Sequence, residues 1–293
     1  MPSINVRNLP DELHERIARA AVRSERSLEA EVRHTLAGAY PNNSGLSLRQ
    51  EWMQATAERL RHLHLQLKAD DFWRLRGPAT LTQLARQLGE ETPARLLSWM
   101  EGSEPLTFEA ARRMEALTGC SAEWLIDGTG DMFPVQDISE YRDFFLPATP
   151  GDYEFHLIRL GLRDGMAPLH VIRYDSSTGS MVSGQMMGRF YLDDGMGDSG
   201  KGNLKRFLQF LKQHSLKLRL HSYEYDAAAD DTGAHHPAYY LNSNRLTKNA
   251  WLERLLNGEA RDGWASDFKW LLDEVKNTPA GAGEEPHPDA NAG

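Results

Sequence analysis

The chain has 293 residues, 40% of them hydrophobic, and a net charge of −9 at pH 7. This length is sufficient for two or three domains with real cores, and the acidic balance excludes a protein that binds nucleic acid over its whole surface. The sequence shows neither an apolar run of about 18 residues nor a basic-then-apolar leader, so we expect a cytoplasmic protein without a membrane segment. The single cysteine, Cys120, excludes an internal disulfide.

Charge is distributed unevenly along the chain. Residues 1–40 carry six arginines against six acidic residues, whereas residues 135–293 carry 17 basic against 23 acidic residues. Any DNA contact is therefore expected from a few well-placed groups in the N-terminal part, with a modest dependence on salt.

The first predicted element is a strand at residues 3–9. Ile4 and Val6 fall on one face, and Ser3, Asn5 and Arg7 fall on the other. Helical sequence follows at once, so this strand has no partner nearby and its edges are left unpaired. The same strand from a second copy of the chain would satisfy them.

Two helices are predicted after this strand. The first begins near Asp11, and the second follows Ser27, a residue typical of helix N-caps, with Leu28, Val32 and Leu36 on one face. One strand and two helices bury too little surface to fold alone. Two copies would form a dimer with a two-stranded ribbon of the size that enters a DNA major groove.

Two short segments here carry a family resemblance, Val6-Arg7-Asn8-Leu9 and Arg26-Ser27-Leu28-Glu29-Ala30-Glu31. Together they resemble the ribbon-helix-helix family, in particular its antitoxin-type and Arc-type repressors. The resemblance implies that Ser3, Asn5 and Arg7 read base edges and that backbone N–H groups near Ser27 and Leu28 bind a phosphate. The alternative is an ordinary edge strand with solvated polar residues and a capping serine.

A helical region is predicted at residues 52–134, after a linker at 41–51. Leu48, Trp52, Leu60, Leu63 and Leu67 trace the apolar stripe of one long helix. Thr80 to Gln83 form a capping box for a helix ending near Leu88, and Thr92-Pro93 opens a helix over 94–101. Thr107 and Ser121 are predicted to cap two further helices.

The string "LARQLG…ARLLSWMEG…TFEAARRMEALTGCSAEWLIDGTGDMFP" resembles the helix-turn-helix domain of phage-repressor and Cro-type regulators over residues 52–133. The resemblance implies a core of eight residues: Leu84, Ala85, Leu88, Leu96, Trp99, Leu117, Trp124 and Leu125. It also implies DNA contacts from Thr92, Ala94, Arg95 and Ser98.

Three residues of this region count against DNA binding. Leu81 replaces the family's usual phosphate-binding glutamine, and Glu90 and Glu91 place negative charge beside the expected phosphates. The alternative is a domain kept for dimerisation or for placing the C-terminal half.

Residues 135–277 are predicted to form an α+β domain, and residues 278–293 a disordered tail. Strands are predicted at 153–160, 169–174, 181–192 and 216–225, and helices at 204–214, 248–257 and 266–276. The fold class is thus multidomain: ribbon-helix-helix, then helix-turn-helix, then α+β. The C-terminal domain resembles no family known to us.

Two motifs in this domain suggest chemistry, and neither is complete. The stretch 195–202 is similar to a phosphate-binding P-loop, but Gly202 replaces the hydroxyl residue needed after Lys201, so a flexible glycine-rich loop is predicted. His235-His236 lie in a predicted polar loop rather than a metal site. No catalytic residue, metal ligand or cofactor is predicted, and we expect no enzyme activity.

The sequence therefore predicts a sequence-specific DNA-binding transcriptional regulator, a repressor that forms a homodimer or higher homo-oligomer. Its partners would be double-stranded DNA and a protein bound by the C-terminal domain. Two alternatives stay open: an antitoxin that autoregulates and masks a toxin, and an enzyme domain tethered to DNA, which rests on the loop at 195–202 alone.

Overall fold

The computed structural model describes residues 9–24, 26–39, 46–161, 169–186, 197–226, 232–260 and 268–281. The chain forms two compact units, residues 1–52 and 53–293. Several predicted features lie outside the described residues: the opening strand up to residue 8, residues 187–192 of a predicted strand, and most of the predicted tail.

The first unit contains helices α1 (Asp11–Arg23) and α2 (Leu28–Ala39), as predicted. Among the hydrophobic side chains described in residues 9–39, only Ala21 is buried, with 3% of its surface exposed. Four larger ones are exposed: Leu9, Val22, Leu28 and Leu36. The described part of this unit therefore has no hydrophobic core within one copy of the chain.

Helices dominate the start of the second unit. Helix α3 (Leu48–Ala69) begins inside the predicted linker, so its first residues belong to the first unit. A 3-10 helix (Phe72–Leu75) follows it. The next four helices are α4 (Leu81–Gln87), α5 (Ala94–Glu101), α6 (Phe108–Thr118) and α7 (Ala122–Asp127). Leu60, Leu63 and Leu67 of α3 are buried as predicted.

The predicted core of the helical region is largely confirmed. Six of its eight residues are buried: Leu84, Ala85, Leu88, Leu96, Trp99 and Leu125. Leu117 and Trp124 are only half-buried. In contrast, Leu48 at the start of the predicted apolar stripe is exposed.

Six strands within the described residues form one mixed sheet in the order β1-β4-β3-β2-β5-β6. They are β1 (Val135–Asp137), β2 (Tyr153–Gly161), β3 (Leu169–Asp175), β4 (Ser180–Gln185), β5 (Arg219–Asp226) and β6 (Leu246–Lys248). The pairs β1/β4 and β2/β5 are parallel, and the other pairs are antiparallel.

Helices accompany this sheet on both faces. They are α8 (Tyr141–Phe145), α9 (Asp198–Gln213), α10 (Ala238–Leu241), α11 (Trp251–Leu256) and α12 (Lys269–Asn277). Phe155, Leu157 and Val171 pack against α8, α9, α11 and α12 on one face. On the other face, Ile158 and Ile172 share a smaller core with Tyr240 of α10.

The stretch that is similar to a P-loop is not a flexible loop where the structure describes it. Helix α9 begins at Asp198, six residues before the predicted helix start, and therefore includes Gly200 and Gly202. The Lys201 ammonium lies 5.4 Å from the centre of the Phe268 ring and 3.8 Å from the Asp198 carboxylate. The prediction of a flexible loop was therefore wrong for residues 198–202.

A buried carboxylate joins the helical part of the second unit to the sheet part. Asp70, just after α3, has 1% of its surface exposed. One oxygen lies 2.7 Å from His235 Nδ1 and accepts a hydrogen bond from Gln66 Nε2 at 2.9 Å. The other accepts the backbone N–H of His236 at 2.7 Å. The carboxylate thus has partners on both of its oxygens, as a buried charge requires.

His236 is a core residue and not part of an exposed polar loop. Its ring packs edge-on against Phe72 and Phe133, with centroids 4.9 Å and 5.4 Å away. Burial, together with the charge of Arg76, lowers the pKa of His236 to about 3. The neutral ring accepts the Ala238 N–H through Nδ1 at 3.0 Å.

None of the helices in the described ranges is long and apolar enough to cross a membrane. In the same ranges, no group of three or more His, Cys, Asp or Glu side chains is arranged to hold a metal ion.

We predict that Asp70→Asn destabilises the protein, because an amide offers one acceptor oxygen where the carboxylate offers two. The free energy of unfolding should fall by about 1–3 kcal/mol, as expected for buried polar groups left without partners. Urea unfolding of the full chain measures this.

Asp71→Asn is the matched control. The Asp71 side chain is half-exposed, and asparagine tolerates the left-handed backbone found there, with φ 58°. Its effect should stay within about 0.5 kcal/mol. Equal losses for the two variants would contradict the role given to Asp70.

Candidate nucleic-acid interface

Helices α4 and α5 form the predicted pair of short helices joined by a tight turn. Thr80 Oγ1 accepts the N–H of Gln83 at 3.2 Å and so caps α4. The Gln83 side chain donates instead to the Arg76 carbonyl at 3.3 Å. The predicted capping box is therefore only half formed.

The second helix of the pair, α5, separates a buried face from an exposed one. Leu96 and Trp99 are buried, while Thr92, Ala94 and Arg95 are exposed at its N-terminal end. Ser98, the fourth predicted contact, is half-buried. Three of the four predicted contacts are therefore accessible to a ligand as large as DNA.

An ion pair fixes the turn between α4 and α5. The Glu90 side chain is only 7% exposed, and its carboxylate lies 2.6 Å from Arg113 Nη2 on α6. Arg113 also donates through Nη1 to the Leu88 carbonyl at 2.6 Å. One arginine thus holds both the end of α4 and the turn that follows it.

This ion pair corrects the expectation that Glu90 repels DNA phosphates. The Glu90 carboxylate points inward, and the charge of Arg113 balances it. Arg95 Nη1 also lies 3.9 Å from the other oxygen of Glu90. Glu91 is exposed and remains as the only one of the two predicted acids that faces solvent.

Arg95 keeps most of its surface available. Its guanidinium carbon lies 5.4 Å from the centre of the Trp99 ring, and 54% of its side chain is exposed. At these distances the contacts with Trp99 and Glu90 orient the Arg95 side chain without occupying all of its guanidinium donors.

In the first unit, the predicted N-cap of α2 is present. Ser27 Oγ accepts the N–H of Ala30 at 3.1 Å, and Leu28 is exposed. Glu29 in the first turn pairs with Arg33 at 3.1 Å, which partly balances its charge. The exposed start of a helix offers unpaired N–H groups that suit a phosphate.

Ser3, Asn5 and Arg7, the predicted base-reading residues, lie outside the described residues. Within the second unit, the structure places Ala94 and Arg95 in the first turn of α5 and Thr92 just before it. Within the first unit, Ser27 and Leu28 lie at the start of α2.

A comparison with protein families finds a match in the N-terminal part of the chain. Residues 2–40 match the family model described as "Antitoxin FitA-like, ribbon-helix-helix". This supports the ribbon-helix-helix assignment of the N-terminal part and a DNA-binding regulator of the antitoxin type. No curated protein matches the chain, and no solved structure matches it either.

The role of Arg113 could not be found from the sequence. It is separated from Glu90 by 23 residues, so no helical or strand periodicity relates the two. Charge alternation alone would pair Arg113 with neighbours on its own helix.

We predict that Arg113→Gln lowers the free energy of unfolding by about 1–3 kcal/mol, because Glu90 then loses its charged partner and the Leu88 carbonyl loses a donor. Urea unfolding checks this. Arg112→Gln, at the neighbouring exposed position, should change stability by less than about 0.5 kcal/mol. A larger loss in the Arg112 variant would show that the effect is not specific to the ion pair.

Proposed function

We propose that the protein is a sequence-specific transcriptional repressor that binds DNA as a homodimer through residues 1–40. The observation that carries this is the family match over residues 2–40. Ser3, Asn5 and Arg7 would read base edges from an intersubunit ribbon, and the start of α2 near Ser27 would hold a phosphate.

The exposed side chains of the first unit support the dimer. Val22 is 78% exposed, and Leu28 and Leu36 are each exposed by more than a third. Two helices whose described residues include one small buried hydrophobic side chain cannot stabilise themselves. A second copy that covers these side chains would supply the missing core.

We predict that Arg7→Ala weakens specific DNA binding by about 1–3 kcal/mol and relaxes base preference at one position per half-site. The physical reason is the loss of a bidentate contact to guanine. Sequencing of genomic fragments retained by the purified protein, followed by titration of the recovered site, measures both effects.

Arg19→Ala is the matched control, since Arg19 is an exposed arginine of α1 whose ion pair among the described residues is with Glu15, four residues before it. This variant should recover the same motif as the wild type. If the Arg7 variant binds the recovered site like the wild type, the ribbon does not read the sequence.

The helix-turn-helix pair is proposed as a second DNA contact on the same chain. Its support is the exposed end of α5 and the neutralised charge of Glu90. Two modules on one chain fit a bipartite operator, in which the second contact becomes intramolecular once the first is made.

Two variants with opposite signs test this contact. Arg95→Ala should weaken binding to the full site by about 1–3 kcal/mol. Glu91→Gln should strengthen binding, because it removes an exposed negative charge near the phosphates. Fluorescence anisotropy with one labelled duplex measures both. If neither affinity changes, α5 does not contact DNA.

A second candidate function is that of an antitoxin, and the description of the matched family favours it. The N-terminal part would autoregulate, and another part of the chain would mask a toxin. Co-purification of a small nuclease in stoichiometric amount would support this candidate. Neither candidate requires a catalytic residue or a cofactor.

A further inference from the structure

A cavity of about 260 Å³ lies inside the second unit, where the helical part meets the sheet. Its walls come from the 3-10 helix and Arg76 after it, from the turn between β3 and β4, and from α10. The lining residues that matter here are Phe72, Arg74, Arg76, Tyr174, Thr178 and Asn242. The proposed DNA-binding function uses none of them.

Arg76 is a half-buried cation without a carboxylate partner among the described residues. Its guanidinium carbon lies 4.5 Å from the centre of the Phe72 ring, and one N–H donates to the Gly179 carbonyl. Burial lowers the pKa of Arg76, and the group that opposes this is Tyr174 rather than an acid. The remaining guanidinium donors are therefore available to an anion.

Arg74 supplies a second guanidinium at the rim. It lies 3.8 Å from the Asp71 carboxylate and 3.4 Å from Asn242 Oδ1. Both of these contacts are long and the Arg74 side chain is more than half exposed. Among the lining residues, two arginines thus face one aspartate, which leaves a net positive charge.

Asp175 lies beneath the same turn, and its oxygens are already hydrogen-bonded there. Its oxygens accept the Ser177 hydroxyl at 2.6 Å, the Ser177 N–H at 3.0 Å and the Thr178 hydroxyl at 3.0 Å. These hydrogen bonds, with that of Ser177 first, lower the pKa of Asp175. It is not among the residues that line the cavity.

We propose that this cavity binds a small organic phosphate, with the phosphate group on Arg74 and Arg76 and the organic part against Phe72 and Tyr174. Guanidinium groups bind phosphate oxygens in pairs of parallel hydrogen bonds. The volume is just below the roughly 300–1,000 Å³ of pockets for drug-sized ligands. The ligand is therefore a compact molecule, smaller than a dinucleotide.

Calorimetric titration of the full chain without DNA tests the proposal. The probes are glycerol 3-phosphate, inorganic phosphate and, as a carboxylate, succinate, at one fixed ionic strength. Glycerol 3-phosphate should bind most tightly, inorganic phosphate more weakly and succinate least. Glycerol 3-phosphate should also raise the melting temperature, because it binds only the folded state.

Variants locate the binding. Arg76→Gln and Arg74→Gln should each reduce affinity for glycerol 3-phosphate at least tenfold. Asp71→Asn should increase it, because it removes the carboxylate found among the described lining residues. Arg112→Gln, at an exposed arginine that is not among the lining residues, should leave affinity unchanged. The Arg74 variant keeps the Arg76 contacts to Phe72 and Gly179, so it remains informative if Arg76→Gln fails to fold.

Three results would overturn the proposal. The first is equal binding by the wild type and the Arg74 variant, and the second is succinate binding as tightly as glycerol 3-phosphate. The third comes from a separate competition experiment: displacement of glycerol 3-phosphate by a short DNA duplex would make the cavity a contact for a DNA phosphate. Because the titration is made without DNA, its failure leaves the DNA-binding proposal untouched.

Discussion

The Asp70 carboxylate holds the helical part of the second unit to the sheet part. It follows α3 directly and reaches His235 and His236, more than 160 residues later. A buried carboxylate without a hydrogen-bond partner is strongly unfavourable. Asp70 and the His235-His236 segment therefore hold each other in position. The edge-on packing of His236 against Phe72 and Phe133 extends the contact with apolar surface.

This contact crosses the predicted domain boundary at residue 134. Other hydrogen bonds cross it as well, such as that from the Phe133 N–H to the Gly233 carbonyl at 3.1 Å. The cavity at Arg76 exists only because the two parts meet. A ligand held there would contact both, whatever the helices α4 and α5 bind.

Local signals account for the elements that could be predicted from the sequence. Three helices are capped by the side chains of Thr80, Thr107 and Ser121, and each of these accepts the backbone N–H of the residue three positions later. The residues that predict the start of each helix are therefore the ones that form it. Strands β2 and β3 have nine and seven residues, enough for a pattern of apolar and polar positions to show, as in the alternation from Tyr153 to Leu157. Strands β1 and β6 have three residues each, too few for a period, and depend on pairing with distant strands.

The candidate site also has a part that local sequence predicts and a part that depends on distant residues. The exposed face of α5 follows from helical periodicity, and the Ser27 cap follows from residue type. In contrast, Glu90 points inward because of Arg113, 23 positions later in the chain. The hydrogen bond from Arg76 to the Gly179 carbonyl joins residues 103 positions apart. Nothing in a single sequence relates such positions, because only the folded chain brings them together.

The exposed apolar side chains of the first unit have a consequence for regulation. If this unit is ordered only when two copies associate, its folded fraction depends on the concentration of the chain. Occupancy of an operator would then rise more steeply than in proportion to protein concentration. A repressor built this way would set a threshold for its own action, below which the N-terminal unit is exposed to proteases and above which it is protected.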